Sequence, residues 1–117
     1  AGLHVTYETT GDDHPISEAT AIAVYRTVQE GLTNAHRHGD GRAQVRLARH
    51  GNEIELTINN RVGRAATAPS DTGSGFGLIG MRERVHATGG TLSTGTDATQ
   101  TFAVHARFPI GRDQGGQ

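Results

Sequence analysis

Glu30, Asn34 and His38 stand four residues apart in the run Thr27-Val-Gln-Glu30-Gly-Leu-Thr-Asn34-Ala-His-Arg37-His38. On a helix, at about 100° per residue, they form a single polar stripe roughly 80° wide. Each residue type brings its own chemistry. A carboxylate orients or deprotonates an attacking group, or holds a water on a bound cation. An amide oxygen is a hard, neutral ligand of the kind Mg²⁺ accepts while keeping its waters. A neutral imidazole donates one hydrogen bond and an imidazolium adds charge; Arg37 is a nearby alternative source of that charge.

A second stretch complements the first. Gly73-Ser-Gly75-Phe-Gly77-Leu78-Ile-Gly80 runs directly into Met81-Arg-Glu-Arg84-Val. Gly73, Gly75 and Gly77 leave backbone amides unobstructed just before an expected helix N-terminus. Unpaired N–H groups and the helix dipole together suit an anion there. The string also satisfies GxGxxG, but a dinucleotide fingerprint follows a buried strand. Here it follows Ala68-Pro-Ser-Asp-Thr72, a loop composition. Arg82 and Arg84 read first as solvated charges along an exposed helix face.

The elements that must position these groups are legible from period and punctuation. Ser17 caps a long helix and Glu18 suits its first turn. That helix runs to about His38, where Gly39-Asp-Gly41 ends it. Val24, Tyr25, Val28, Leu32 and Ala35 cluster opposite the polar stripe and are the expected buried face. Gly31 costs about 1 kcal/mol against alanine mid-helix, which suggests close approach of another element or a ligand. Strands are expected at Leu3–Glu8, Gln44–Arg49 and Glu53–Ile58, the last two joined by a hairpin at His50-Gly-Asn52 and closed by Asn59-Asn60. Thr9 to Pro15 reads as a connector and Arg61 to Ser74 as a mobile loop. Phe76 to about Thr88 is a helix stopped by Gly89-Gly90. Two strands follow, at Thr91–Thr94 and Thr101–Phe108. The order predicts an α+β two-layer sandwich, a mixed sheet covered on one face by helices, over residues 1–110. Residues 111–117 are expected to be a disordered tail.

Composition narrows the function classes. With 117 residues the chain holds one core, and its formal net charge of −1 with 20% charged residues gives no polyanion-binding footprint. Nucleic acid is therefore not an expected partner. No cysteine is present, which excludes a disulfide framework and suits a reducing, cytoplasmic setting. No run approaches the ~18 apolar residues of a membrane span. The chain opens at Ala1 rather than a methionine, and reads as a piece of something longer. Seven histidines raise the question of metal. His36 and His38 point in different directions on a helix, and the others are scattered singly without zinc-site spacing. They are read as surface residues.

Tyr25-Arg-Thr-Val-Gln-Glu30-Gly-Leu-Thr-Asn34-Ala-His-Arg-His38 and Gly75-Phe-Gly-Leu-Ile-Gly80-Met-Arg-Glu-Arg-Val85 resemble the N box and the second glycine box of the GHKL ATPase superfamily. The wording is similar to the ATP-binding domain of sensor histidine kinases that serve NarL/LuxR-type response regulators. The resemblance covers roughly Leu3 to Pro109. It implies a Bergerat fold and ATP with Mg²⁺ as cofactors, the ion coordinated by Asn34. Glu30 matches the family's candidate general base, here read as a positioning carboxylate. His38 falls where the family often places a basic residue facing phosphate. Gly73, Gly75 and Gly77, with Leu78, are implied to meet the nucleotide and its lid. Thr101 resembles the threonine placed near the adenine pocket.

The pattern also departs from the family. The first glycine box, Asp-x-Gly-x-Gly, has Asn60 at its aspartate position if Leu56 and Ile58 set the register; Asn59 is the fallback. Arg61-Val-Gly-Arg64 follows, so neither glycine is in place. Asn60 still offers an oxygen acceptor and adds an NH₂ donor, so weaker adenine recognition is expected. The sequence thus reads as the catalytic, ATP-binding domain of a sensor histidine kinase, a monomer without the phosphoacceptor histidine. Its expected partners are an N-terminal dimerisation and phosphoacceptor domain and, indirectly, a NarL/LuxR-type regulator. An anti-sigma-type serine kinase is one alternative, against which Gly80-Met-Arg-Glu-Arg84 speaks. A nucleotide-sensing or protein-binding module without turnover is another, suggested by the altered box.

Overall fold

The computed structural model describes residues 2–11, 15–62 and 75–110. Seven elements follow in order: β1 (His4–Gly11), α1 (Glu18–His38), β2 (Arg42–His50), β3 (Glu53–Arg61), α2 (Gly75–Ala87), β4 (Thr91–Thr96) and β5 (Thr101–Pro109). The strands form one sheet in the order β1-β2-β3-β5-β4. β1 pairs with β2 in parallel and every other pair is antiparallel. This is the expected α+β sandwich. Expectations for the tail at 111–117, and for most of the loop at 61–74, fall outside the described residues. Several boundaries differ: β2 begins at Arg42 and takes in His50, and β4 runs on to Thr96. β1 extends to Gly11, because its whole length pairs with β2. β3 includes Arg61, and Val62 bridges to Gly39 rather than beginning a loop.

Alternation sets the faces. Ile54, Leu56, Ile58 and Asn60 of β3, and Phe102, Val104, Ala106 and Phe108 of β5, are buried beneath the helices. Leu78, Met81 and Val85 of α2 pack onto them. The other face of the sheet is open. Its hairpin turn is the two-residue Gly51-Asn52, and Gly51 takes a left-handed φ of 61° that an L side chain resists.

α1 begins as expected, with the Ser17 side chain accepting a hydrogen bond from the Thr20 amide at 3.1 Å. Its orientation is the main correction. The buried stripe is Thr20, Ala23, Thr27, Gly31, Asn34 and Ala35. Val24, Val28 and Leu32 are only partly buried flanks, and Tyr25 is 62% exposed. The helix therefore turns its small residues, not its largest apolar ones, toward the sheet. Close approach is the reason. A Cβ on Gly31 would lie 2.6 Å from Ile58 Cδ1, so only hydrogen fits at the tightest crossing. Thr27 is tolerated there because its hydroxyl donates to the Ala23 carbonyl at 2.7 Å.

Candidate nucleotide-binding site

The rotation of α1 changes what the Glu30–Asn34–His38 stripe can do. It faces the body of the protein rather than solvent. Asn34 is 3% exposed, while Glu30 and His38 are half-buried. Arg37 lies off the stripe and is exposed, so the geometry favours His38 over Arg37 as the group beside Asn34.

The far end of β3 is tied to the same helix. Gly39 donates its amide to the Ala35 carbonyl at 2.9 Å, and the Asp40 amide donates to the Arg61 carbonyl at 3.2 Å. Together with the Gly39–Val62 bridge, these bonds hold Asn60 beneath the last turn of α1. A Cβ on Gly39 would come within 2.9 Å of Asn60 Nδ2. Asn60 is 5% exposed and donates from Nδ2 to the Arg61 carbonyl at 3.1 Å. The register set by Leu56 and Ile58 is thus observed, and Asn59 points to the opposite face.

From the other side comes α2. Gly75 and Gly77 lie within its first turn, not in a loop ahead of it. Their amides fall among the N-terminal donors that no earlier carbonyl of the helix can satisfy. Gly73 lies outside the described residues. Leu78 is 3% exposed and belongs to the hydrophobic core. Its side chain fixes α2 to the sheet, which corrects its assignment as a ligand-facing residue.

Arg84 is a residue that sequence reading left among the solvated charges. Its Nη2 lies 3.8 Å from Glu30 Oε1, linking α2 to the stripe. Its spacing of three from buried Met81, on a helix also anchored by Val85, was the available signal. The 3.8 Å separation exceeds good hydrogen-bond length, so this pair holds Glu30 loosely.

Thr101 pairs with Arg61, whereas Phe102 pairs with Asn60, so Phe102 shares the helix-covered face and Thr101 the open one. The alternation Phe102-Val104-Ala106-Phe108 already carried this information. Thr101 still lines one cavity of about 320 Å³ with His4, Thr6, Arg42, Asn59 and Asn60, beside the residue read as meeting adenine.

Two buried polar atoms lack a hydrogen-bond partner among the described residues, Asn34 Nδ2 and Arg84 Nε. Leaving a buried donor unpaired costs about 1–3 kcal/mol, and such groups are rare away from functional sites. A ligand held between α1 and α2 would satisfy both. Asn34 suits a metal–phosphate ligand in particular, since turning its amide by half a rotation offers the oxygen instead. The residues present therefore fit a phosphate-bearing ligand and its divalent ion.

Comparison with known proteins gives the same direction. The family described as Histidine kinase-, DNA gyrase B-, and HSP90-like ATPase matches residues 19–112. Sensor histidine kinase LnrJ of Bacillus subtilis (strain 168) is 32% identical over 111 residues, covering 94% of this chain and 27% of the relative. Signal transduction histidine-protein kinase/phosphatase UhpB of Salmonella typhimurium is 37% identical over 82 residues, 70% of this chain and 16% of that one. The chain thus spans only about a quarter or less of these two relatives. Among solved structures, Acinetobacter baumannii histidine kinase AdeS superposes with a TM-score of 0.72 at 15% identity, over 96% of this chain and 56% of that one; this likeness concerns the fold. With a family match across most of its length and the same sandwich in three dimensions, this chain belongs to the histidine kinase-, DNA gyrase B- and HSP90-like ATPase family.

Proposed function

We propose that this domain binds Mg·ATP between α1 and α2 and delivers the γ-phosphate to a histidine on a separate dimerisation domain of a parent sensor kinase. The observation that carries this reading is the buried, unpartnered amide of Asn34. It sits on a helix stripe with a carboxylate one turn before it and an imidazole one turn after.

Each side chain has a part to play. Mg²⁺, when bound, would supply charge neutralisation to the phosphates, and Asn34 would hold it. Glu30, only loosely engaged by Arg84, is free to turn and orient a water or the incoming group. His38 and the amides at the start of α2 face the phosphates, where the helix dipole favours negative charge. Asn60 receives the adenine with one acceptor and one donor. The catalysis asked of the chain is positioning and charge neutralisation, because phosphoryl transfer needs little covalent participation by the protein. The relatives' names support a kinase in a signalling pair. A NarL/LuxR-type regulator downstream and a cytoplasmic setting extend the same proposal.

A second reading rests on Asn60 itself. With an amide where the family resemblance expects a carboxylate, the domain binds nucleotide but transfers nothing. Calorimetric titration with Mg·ATP, followed by incubation with a matching phosphoacceptor domain and γ-labelled ATP, separates the two. Label on histidine supports the kinase; binding without label supports the sensing module; no magnesium-dependent binding overturns both. Asn60→Asp is expected to tighten ATP binding. Unchanged or weaker affinity would count against placing adenine at this residue.

A further inference from the structure

The open face of the sheet, opposite the nucleotide site, carries a second cluster that the ATPase reading does not use. His50 ends β2 and Glu53 begins β3, the two being direct cross-strand partners around the Gly51-Asn52 turn. Glu55 lies two residues on, so its side chain returns to the same face. Donor atoms of His50, Glu53 and Glu55 all lie within 4.8 Å of one another. His50 Nε2 is 3.3 Å from Glu55 Oε1, close to the separation of two ligands on one tetrahedral ion with bonds near 2.0–2.1 Å.

The surroundings support a ligand set rather than a chance meeting of charges. The second oxygen of Glu55 is bound from β5 by His105 Nε2 at 2.5 Å. A carboxylate that ligates a metal is held in this way by a hydrogen bond to its remaining oxygen. Arg107 approaches Glu53 only to 3.8 Å and leaves it able to turn. All four residues stand on paired strands, a rigid base for a site.

We infer that His50, Glu53 and Glu55 form a binding site for a divalent transition ion of the zinc class, with His105 positioning Glu55 from outside the ligand set. One nitrogen and two carboxylate oxygens leave a coordination position to water. An imidazole ligand selects such ions over Mg²⁺. The ion clips the β2–β3 hairpin across its turn. It lies on the opposite side of the sheet from Asn34, so its occupancy is independent of nucleotide.

The test is titration of the chelator-washed 117-residue chain with ZnCl₂ by calorimetry, with MgCl₂ as control. Thermal melts and imidazole NMR resonances are recorded in parallel. One Zn²⁺ per chain is expected, with a rise in melting temperature as the native state alone binds. The NMR shifts should be confined to His50 and His105. Glu55→Gln and His50→Ala are expected to abolish binding. His105→Ala should weaken it roughly 10- to 100-fold, the usual effect of losing an outer partner. His86→Ala, an exposed change on α2, should leave it intact. Zinc binding that survives Glu55→Gln, equal uptake of Mg²⁺, shifts centred on other histidines, or no uptake at all overturns the site. The NMR shifts are read on the unaltered chain, so they decide the matter even if a variant misfolds.

Discussion

Asn34→Ala separates stability from ligand binding. In the folded chain Asn34 is 3% exposed, and its Nδ2 has no partner among the described residues. Removing it relieves an unpaired buried donor, a gain of about 1–3 kcal/mol. Alanine adds about 0.5 kcal/mol in helix propensity. Against this stands the cavity left by three heavy atoms, roughly 30 Å³, which costs about 0.7 kcal/mol. The balance is a stabilisation of about 1 kcal/mol or more. In a domain of this size each such unit raises the melting temperature by about 4–8 °C. Magnesium-dependent ATP binding should be lost at the same time, because no other stripe residue supplies a neutral oxygen. The assay is thermal unfolding of ligand-free protein beside calorimetric titration with ATP, with and without Mg²⁺. A variant that is destabilised by 1 kcal/mol or more, whether or not it binds, shows that the amide serves packing. A stabilised variant that still binds with full magnesium dependence sinks the ligand role.

Three further outcomes are expected. Gly31→Ala places a Cβ 2.6 Å from Ile58 Cδ1, and Ile58 is 1% exposed; overpacking of about 1–3 kcal/mol outweighs about 1 kcal/mol of propensity. The measured result should be a net loss of up to about 2 kcal/mol in urea unfolding; a stabilisation of the full propensity gain would show that α1 rides freely over the sheet. Phe108→Ala, at a side chain with 0% exposure, should cost about 3–5 kcal/mol, and a loss under about 1 kcal/mol would mean the core closes over the gap. Asp97 turns the chain into β5: its Oδ1 accepts from the Thr99 hydroxyl at 2.6 Å, the Thr99 amide at 2.8 Å and the Thr101 amide at 3.1 Å. Thr99, chiefly through its hydroxyl, then Thr101, hold the carboxyl below its ordinary value of 3.8. The folded state thus favours the ionised form, and its contribution is present above that value and lost as pH falls through the lower folded one. Asp97→Asn should lower the melting temperature at neutral pH, with the difference closing in strong acid; a gap that persists there would rule out the charge as its source.

The sequence alone determined the elements, though not all of their limits, because period and punctuation are local. Ser17 caps α1, His50-Gly-Asn52 marks the hairpin, and Leu56, Ile58 and Asn60 alternate onto one face. The order of strands and helices was enough for the sandwich. The motif residues of α1 were legible too, since Glu30, Asn34 and His38 share a stripe on any helix.

Tertiary structure decided which way that stripe faces. Hydrophobicity ranks Tyr25 and Val28 above Thr27 and Gly31 for burial, yet the distance between α1 and β3 admits only small side chains at the crossing. That distance is set by Ile58, 27 residues away from Gly31, and no local pattern contains it. For the same reason Arg84 meets Glu30 only after α2 docks, and His105 reaches Glu55 only after β5 pairs with β3. Residues far apart in the chain become neighbours through sheet register, and a spacing search along the sequence has no access to it.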